Sequence, residues 1–231
     1  PCAKPWPWIR GSPAYRPLKG FCREGETVIA IVDYGMGNLG SVRYALQALG
    51  EEVRVTADPA AIAAAPGVIL PGVGAFGDAM AELRARGLVE TVRQAAGSGR
   101  PFLGICLGMQ LLFTAGEEGG YHEGLDILPG VVRRLRGEVK IPHIGWNSLS
   151  FPRPTPLFDG VAPGSFVYFV HSYVAVPQEE AVVAATCSYG EEFTAAVRRG
   201  NVWGTQFHPE KSSQVGLAVL RNFVSEVRAC S

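Results

Sequence analysis

The chain has 231 residues, 47% hydrophobic and 18% charged, which is enough apolar material for a sizeable core and excludes a disordered chain. Twenty-one basic and 21 acidic residues give a formal net charge of zero with no basic run, which argues against nucleic acid or an anionic membrane as a partner. Cys2, Cys22, Cys106, Cys187 and Cys230 are odd in number and irregular in spacing, a pattern that fits a reducing cytoplasm rather than a disulfide framework or a metal site.

The first 26 residues carry Pro1, Pro5, Pro7, Pro13 and Pro17 with Trp6 and Trp8, and show neither helical nor strand periodicity. They read as a dispensable extension to a single domain spanning 27–231. Residues 28–32 then predict a buried strand, 41–49 a helix ending at Gly50, and 53–56 and 68–70 two further strands. The apolar stretch 60–76 is broken by Pro66 and Pro71, so it does not read as a membrane span. A helix is expected at 78–85, a strand at 102–105 and a helix at 109–113. Residues 139–144, 165–176, 182–187 and 193–198 are rich in β-branched and aromatic side chains and predict antiparallel strands added to the sheet. A strand at 202–207 and a helix at 215–227 complete the chain. Strand–helix alternation of this kind predicts an α/β fold in three layers, with a mostly parallel sheet covered on both faces.

Two segments carry chemistry. Gly104-Ile105-Cys106-Leu107-Gly108 reads as a strand ending in a tight turn, with a cysteine at its tip and glycines where backbones approach closely. A thiol held there, at a helix N-terminus, is placed to act as a nucleophile. Alone, the segment fits a buried structural cysteine equally well. Far downstream, Gln206-Phe207-His208-Pro209-Glu210 follows a strand, and in extended chain His208 and Glu210 project to the same side. Cysteine, base and orienting carboxylate then form a triad. A competing pattern is Gly35-Met36-Gly37-Asn38-Leu39-Gly40 with Asp58 downstream, which matches a dinucleotide-binding fingerprint. Asp33 and Tyr34 separate its first glycine from the strand, and hydride transfer leaves the triad unexplained.

These segments resemble the class I, triad-type glutamine amidotransferases. The likeness runs through Asp33–Asn38, Pro71–Met80, Gly104–Gln110, Pro142–Asn147, His171–Tyr173 and Gln206–Ser212. The Pro-Gly-Val-Gly and Pro-His-Ile-Gly-Trp-Asn segments are similar in particular to the glutaminase subunits of imidazole glycerol phosphate synthases.

The resemblance implies a flavodoxin-like glutamine amidotransferase fold and hydrolysis of glutamine through Cys106, His208 and Glu210, without a cofactor. It implies an oxyanion hole from the N–H of Leu107 with that of Val73 or Gly74, whose peptide has to turn inward. Glutamine would be held by Gly72, Gln110, Glu118 and the backbone of His171, Ser172 and Tyr173. His171 reads as a scaffold residue rather than a rival base. A (β/α)8-barrel cyclase subunit would dock on Asn38, Pro142, Trp146 and Lys211 and consume the ammonia. The alternative is a glutaminase subunit serving a different synthase.

Overall fold

The computed structural model describes residues 28–230; the proline-rich segment 1–26 lies outside them. The first half alternates strand and helix: β1 (Val28–Val32), α1 (Leu39–Ala48), β2 (Glu52–Thr56), α2 (Pro59–Ala64), β3 (Val68–Gly72), α3 (Phe76–Ala85), α4 (Val89–Gly97) and β4 (Phe102–Cys106). The four-residue α5 (Leu107–Gln110) follows, then β5 (Phe113–Gly116), β6 (His122–Glu123), β7 (Leu128–Arg134), β8 (His143–Ser148), β9 (Phe166–His171), β10 (Tyr173–Pro177), β11 (Val183–Tyr189), β12 (Glu191–Arg199), β13 (Val202–Thr205) and α6 (Ser213–Cys230).

The main sheet has seven strands in the order β11-β12-β13-β4-β3-β1-β2. The five from β13 to β2 run parallel, and β12 and β11 continue the sheet antiparallel. Strand alternation divides the core between two faces. Ile29 and Ile31 of β1 join Val42 and Leu46 of α1 and Phe223 and Val224 of α6 on one side. Ala30 and Val32 join Ile62 of α2, Met80 of α3 and Val92 of α4 on the other. Both faces of β1, β3 and β4 are covered, which is why these strands read as continuous apolar runs. The expected three-layer α/β arrangement is present.

Several expectations need correction. The strands foreseen across 139–198 do not all join the main sheet. Only β11 and β12 do, whereas β10-β7-β5-β6 form a second sheet and β8-β9 a two-stranded one. The segment 165–176, expected as strand or hairpin, is interrupted at Ser172, where the chain passes from β9 to β10 and so from one sheet to another. Residues 139–142 are not strand; β8 begins only after Pro142, which has no N–H to donate to a ladder. The helix expected over 109–113 ends at Gln110, and Phe113 opens β5 against β7. Helices α2 and α4 were not foreseen. Among the described residues no helix is long and apolar enough to cross a membrane.

Candidate active site

The parallel strands deliver their C-terminal ends to one edge of the sheet, the usual place for a site in an open α/β fold. Gly72 ends β3, Cys106 ends β4, and Gln206 to Glu210 follow β13. The register explains how residues far apart in sequence meet. Gly72 lies opposite Cys106, and Gly204 and Thr205 lie opposite Gly104 and Ile105. The next residues after β13 therefore fall beside the cysteine.

The turn at Cys106 is tight and strained. Cys106 has φ +54°, a left-handed conformation that a non-glycine residue rarely adopts. The close approaches around it admit only glycine. A Cβ on Gly108 would sit 1.9 Å from the Leu70 carbonyl oxygen, and one on Gly104 2.7 Å from the Gly108 carbonyl oxygen. The elbow is thus wedged against β3 by backbone-to-backbone contact. The helix behind it is a single turn, so the dipole expected to favour a thiolate is short.

His208 and Glu210 form a buried pair, Nδ1 to Oε1 at 2.8 Å, with side chains 2% and 1% exposed. The extended geometry expected for 208–210 is not what joins them. Pro209–Lys211 is a 3₁₀ turn with His208 as its N-cap and Pro209 at its first position. Nδ1–H donates to the carboxylate, which leaves Nε2 as the ring's basic nitrogen. Nε2 has no hydrogen-bond partner of its own. Burial works against a charged His208, but the interactions with Cys106 and Glu210 outweigh it and push the ring up to about 10. Away from this pair, burial pushes the Cys187 thiol up to about 12.

Gln206 joins this centre, a role the sequence reading did not give it. Its Nε2 donates to the Cys106 sulfur at 3.7 Å, and its Oε1 accepts from Gln110 Nε2 at 2.9 Å. Gln110 Nε2 also donates to the Tyr173 carbonyl at 3.0 Å. Gln206 precedes His208 by two residues at the end of a strand, and that alternation was the available signal.

The remaining expected residues divide. Gly72 is buried beside the cysteine, Leu107 is the first residue of α5, and Val73 and Gly74 are exposed on the turn after β3. Glu118 is not on a helix; it lies beyond β5, and its Oε2 accepts the Phe76 N–H at 2.9 Å at the start of α3. The Ser172 carbonyl is committed to Leu135 N–H at 2.9 Å, and the Tyr173 carbonyl to Gln110 and His171. A carboxylate approaching this segment needs N–H groups in any case. His171 Nδ1 meets the Tyr173 carbonyl at 3.0 Å, so Nδ1 carries the proton and Nε2 accepts from His143 Nδ1 at 3.1 Å. Burial first, then the neighbouring His143 and His208, bring His171 down to about 3 despite the Tyr173 carbonyl. A ring held neutral by fixed hydrogen bonds suits a scaffold.

Asn38 caps the start of α1 through its backbone, Lys211 is exposed beside Glu210, and Pro142 is exposed before β8. Trp146 lies on the outer face of the β8-β9 pair with Ile144 and Phe166, all more than half exposed, while His143, Phe169 and His171 face inward. Asp58 does not fit the dinucleotide pattern, because its carboxylate accepts the Ala60 N–H at 3.0 Å and caps α2. Among the described residues no group of three or more His, Cys, Asp or Glu side chains could hold a metal ion.

The glutamine amidotransferase class-I family model matches residues 30–227. The imidazole glycerol phosphate synthase subunit HisH of Moorella thermoacetica is 60% identical over 200 residues, covering 87% of this chain and 95% of that protein. The protein of the same name from Syntrophotalea carbinolica is 55% identical over 203 residues, covering 85% and 98%. Among solved structures, PurLQS from Thermotoga maritima superposes with a TM-score of 0.68 at 21% identity, covering 87% of this chain and 98% of that one. A crystal structure of a glutamine amidotransferase gives the same TM-score and identity, covering 86% and 98%. At that identity the structural likeness speaks for the fold alone.

Proposed function

Because this chain belongs to the class-I glutamine amidotransferases and, within them, to the HisH subunits of imidazole glycerol phosphate synthase, we propose that it hydrolyses glutamine at Cys106 and hands the ammonia to a (β/α)8-barrel cyclase. It is the glutamine amidotransferase subunit of that synthase, in histidine biosynthesis. The observation that carries the catalytic reading is the β4–β13 register, which sets the buried His208–Glu210 pair beside the strained Cys106.

In this mechanism His208 Nε2 takes the thiol proton, and the sulfur attacks the carboxamide carbon of glutamine. The resulting oxyanion is received by the N–H of Leu107 and that of Val73 or Gly74. Collapse breaks the C–N bond, His208 returns its proton to the leaving nitrogen, and a glutamyl thioester and ammonia result. Water, deprotonated by the same ring, attacks the thioester and releases glutamate and the free cysteine. The coupling to Cys106 suits both halves of this cycle. While sulfur is anionic it holds His208 basic; once sulfur is acylated that support vanishes and only Glu210 opposes the burial that favours proton release.

Glutamine is oriented by Gly72, Gln110, Glu118 and the N–H groups around His171–Tyr173. The cyclase docks on Asn38, Pro142, Trp146 and Lys211 as a heterodimer, and the exposed apolar face of β8-β9 supports that surface. Ammonia released to water would be protonated and lose its nucleophilicity, so direct transfer through a channel follows. Free thiols at Cys106 and Cys187 support a cytoplasmic setting. The test is Cys106→Ala in the complex with the cyclase. Glutamine-dependent synthesis is lost and ammonia-dependent synthesis is retained; glutamine hydrolysis at the wild-type rate would refute the mechanism.

A further inference from the structure

Tyr34, the second residue after β1, is completely buried, and its hydroxyl has no hydrogen-bond partner. A buried hydroxyl without a partner costs about 1–3 kcal/mol, and a phenylalanine would fill the same space without that cost. The fold as it stands gives the oxygen nothing to do.

Its surroundings say what could use it. The hydroxyl lies 2.7 Å from the point where a Cβ on Gly72 would sit, and the Gly108 nitrogen and Leu107 Cβ lie 2.8 Å and 2.9 Å from the same point. The oxygen therefore sits in the wedge between the turn after β3 and the start of α5. Of these two neighbours only one can move. Gly108 is locked against the Leu70 carbonyl, whereas the turn beyond Gly72 carries exposed Val73 and Gly74, the latter at φ +96°. Gly72 itself has no side chain to resist rotation of its peptide. The Gly72 carbonyl and the Val73 N–H belong to one peptide plane and point in opposite directions. When the N–H turns towards the sulfur of Cys106, the carbonyl turns the opposite way, with the Tyr34 hydroxyl packed against the same residue, Gly72.

We propose that the Tyr34 hydroxyl is the donor that receives the Gly72 carbonyl when the Gly72–Val73 peptide turns its N–H into the oxyanion hole. Tyr34 is thus a positioning residue that stabilises the reactive form of the turn and is idle in the form described here. The phenol stays protonated, as a donor must, because burial and then the charge of Cys106 raise it well above its ordinary value. This inference rests on Cys106 being the nucleophile of the proposed reaction.

The test is Tyr34→Phe, assayed for glutamine hydrolysis in the complex with the cyclase. Loss of one neutral hydrogen bond predicts a fall in kcat of about threefold to tenfold with KM unchanged. The thermal midpoint of the variant stays level or rises, because the deleted oxygen has no partner in the resting fold. An aldehyde analogue of glutamine, which adds to the thiol to give a tetrahedral adduct bearing the oxyanion, binds more weakly by a similar factor. An unchanged kcat, or a lower kcat accompanied by a lower midpoint, overturns the inference. Cys106→Ala separates the two levels. If it abolishes hydrolysis while Tyr34→Phe is silent, only the role of Tyr34 fails; if it leaves hydrolysis intact, the mechanism beneath it fails.

Discussion

Glu210→Gln keeps the size of the side chain and removes its charge, so it isolates what the carboxylate does for His208. The hydrogen bond it alters is 2.8 Å long, between side chains 2% and 1% exposed, where water does not screen it. A hydrogen bond to a charged partner contributes about 1.5–3 kcal/mol, which is about tenfold to 150-fold in the population of the protonated ring. A second loss adds to this. The amide can present its NH2 to Nδ1, which moves the ring proton to Nε2 and leaves no lone pair to take the thiol proton. The corresponding change in a serine triad lowers kcat by about 10⁴, so kcat here falls by between about 10² and 10⁴. The assay is glutamine hydrolysis in the complex, with ammonia-dependent synthesis as the internal control, expected at the wild-type rate. Hydrolysis by Glu210→Gln within threefold of wild type would show that the pair is structural and refute the assigned role.

Two further predictions concern stability. Gly108→Ala forces a Cβ to within 1.9 Å of a backbone oxygen that cannot move without displacing β3. Overpacking of about 1–3 kcal/mol lowers the Tm by about 2–12 °C in a chain this long. Gly40→Ala, with nothing within 4 Å, leaves it level or slightly higher, and equal effects from the two variants would contradict the wedged elbow. The pH dependence of stability has two limbs. His208 is raised to about 10 in the folded chain, so its contribution is complete below its ordinary value of 6.5 and fades as pH rises towards 10. His171 is lowered to about 3, so its contribution is complete above 6.5 and fades as pH falls towards 3; His143, lowered by burial, acts in the same direction. Thermal midpoints measured across this range should peak near neutrality, with Glu210→Gln flattening the alkaline limb alone; a wild-type midpoint rising from pH 7 to 10 would contradict the assignment.

The elbow was legible in the sequence because its glycines are forced by contacts between backbones, and such contacts leave no choice of residue. The helix expected beyond it was misread for the opposite reason. Met109–Phe113 is a short apolar run, and periodicity does not distinguish a buried helix from a buried strand over so few residues. The chain divides it, one turn of helix and then β5, because Phe113 finds a ladder on β7, a partner supplied by tertiary structure. Helix α2 did announce itself, with Asp58 as cap and Pro59 at the first position, but Asp58 had been absorbed into the dinucleotide pattern. The His208–Glu210 contact was anticipated from extended geometry and is made by a 3₁₀ turn, since Pro209 is as well suited to begin such a turn as to prolong a strand. Gln206 and Tyr34 carry no reactive group of their own. Their importance comes from what lies within reach, and only coordinates supply that.

The polar atoms that the resting fold leaves unmatched point to how the subunit is controlled. Among the described residues seven buried side-chain atoms lack a hydrogen-bond partner. Thr155 Oγ1, Arg198 Nε and Asn201 Oδ1 lie elsewhere, but Tyr34 hydroxyl, Thr205 Oγ1, His208 Nε2 and Glu210 Oε2 lie at or just beyond the strand ends around Cys106. Cys106 adds a backbone conformation that costs about 1–3 kcal/mol. A site that concentrates strain and unmatched polar groups in this way is less stable at rest than it could be. Binding that satisfies those groups therefore shifts the population towards the reactive arrangement, and does so by as much as the satisfied groups differ between the two states. Tyr34 lies on the same loop as Asn38, and Lys211 lies next to Glu210, so both sides of the strained centre are within a few residues of the face assigned to the cyclase. Docking there has a short mechanical route to the turn at Gly72 and to the His208 pair. We propose that the subunit is slow alone and fast in the complex because a partner completes contacts that its own fold leaves open; equal rates of glutamine hydrolysis with and without the cyclase would refute this.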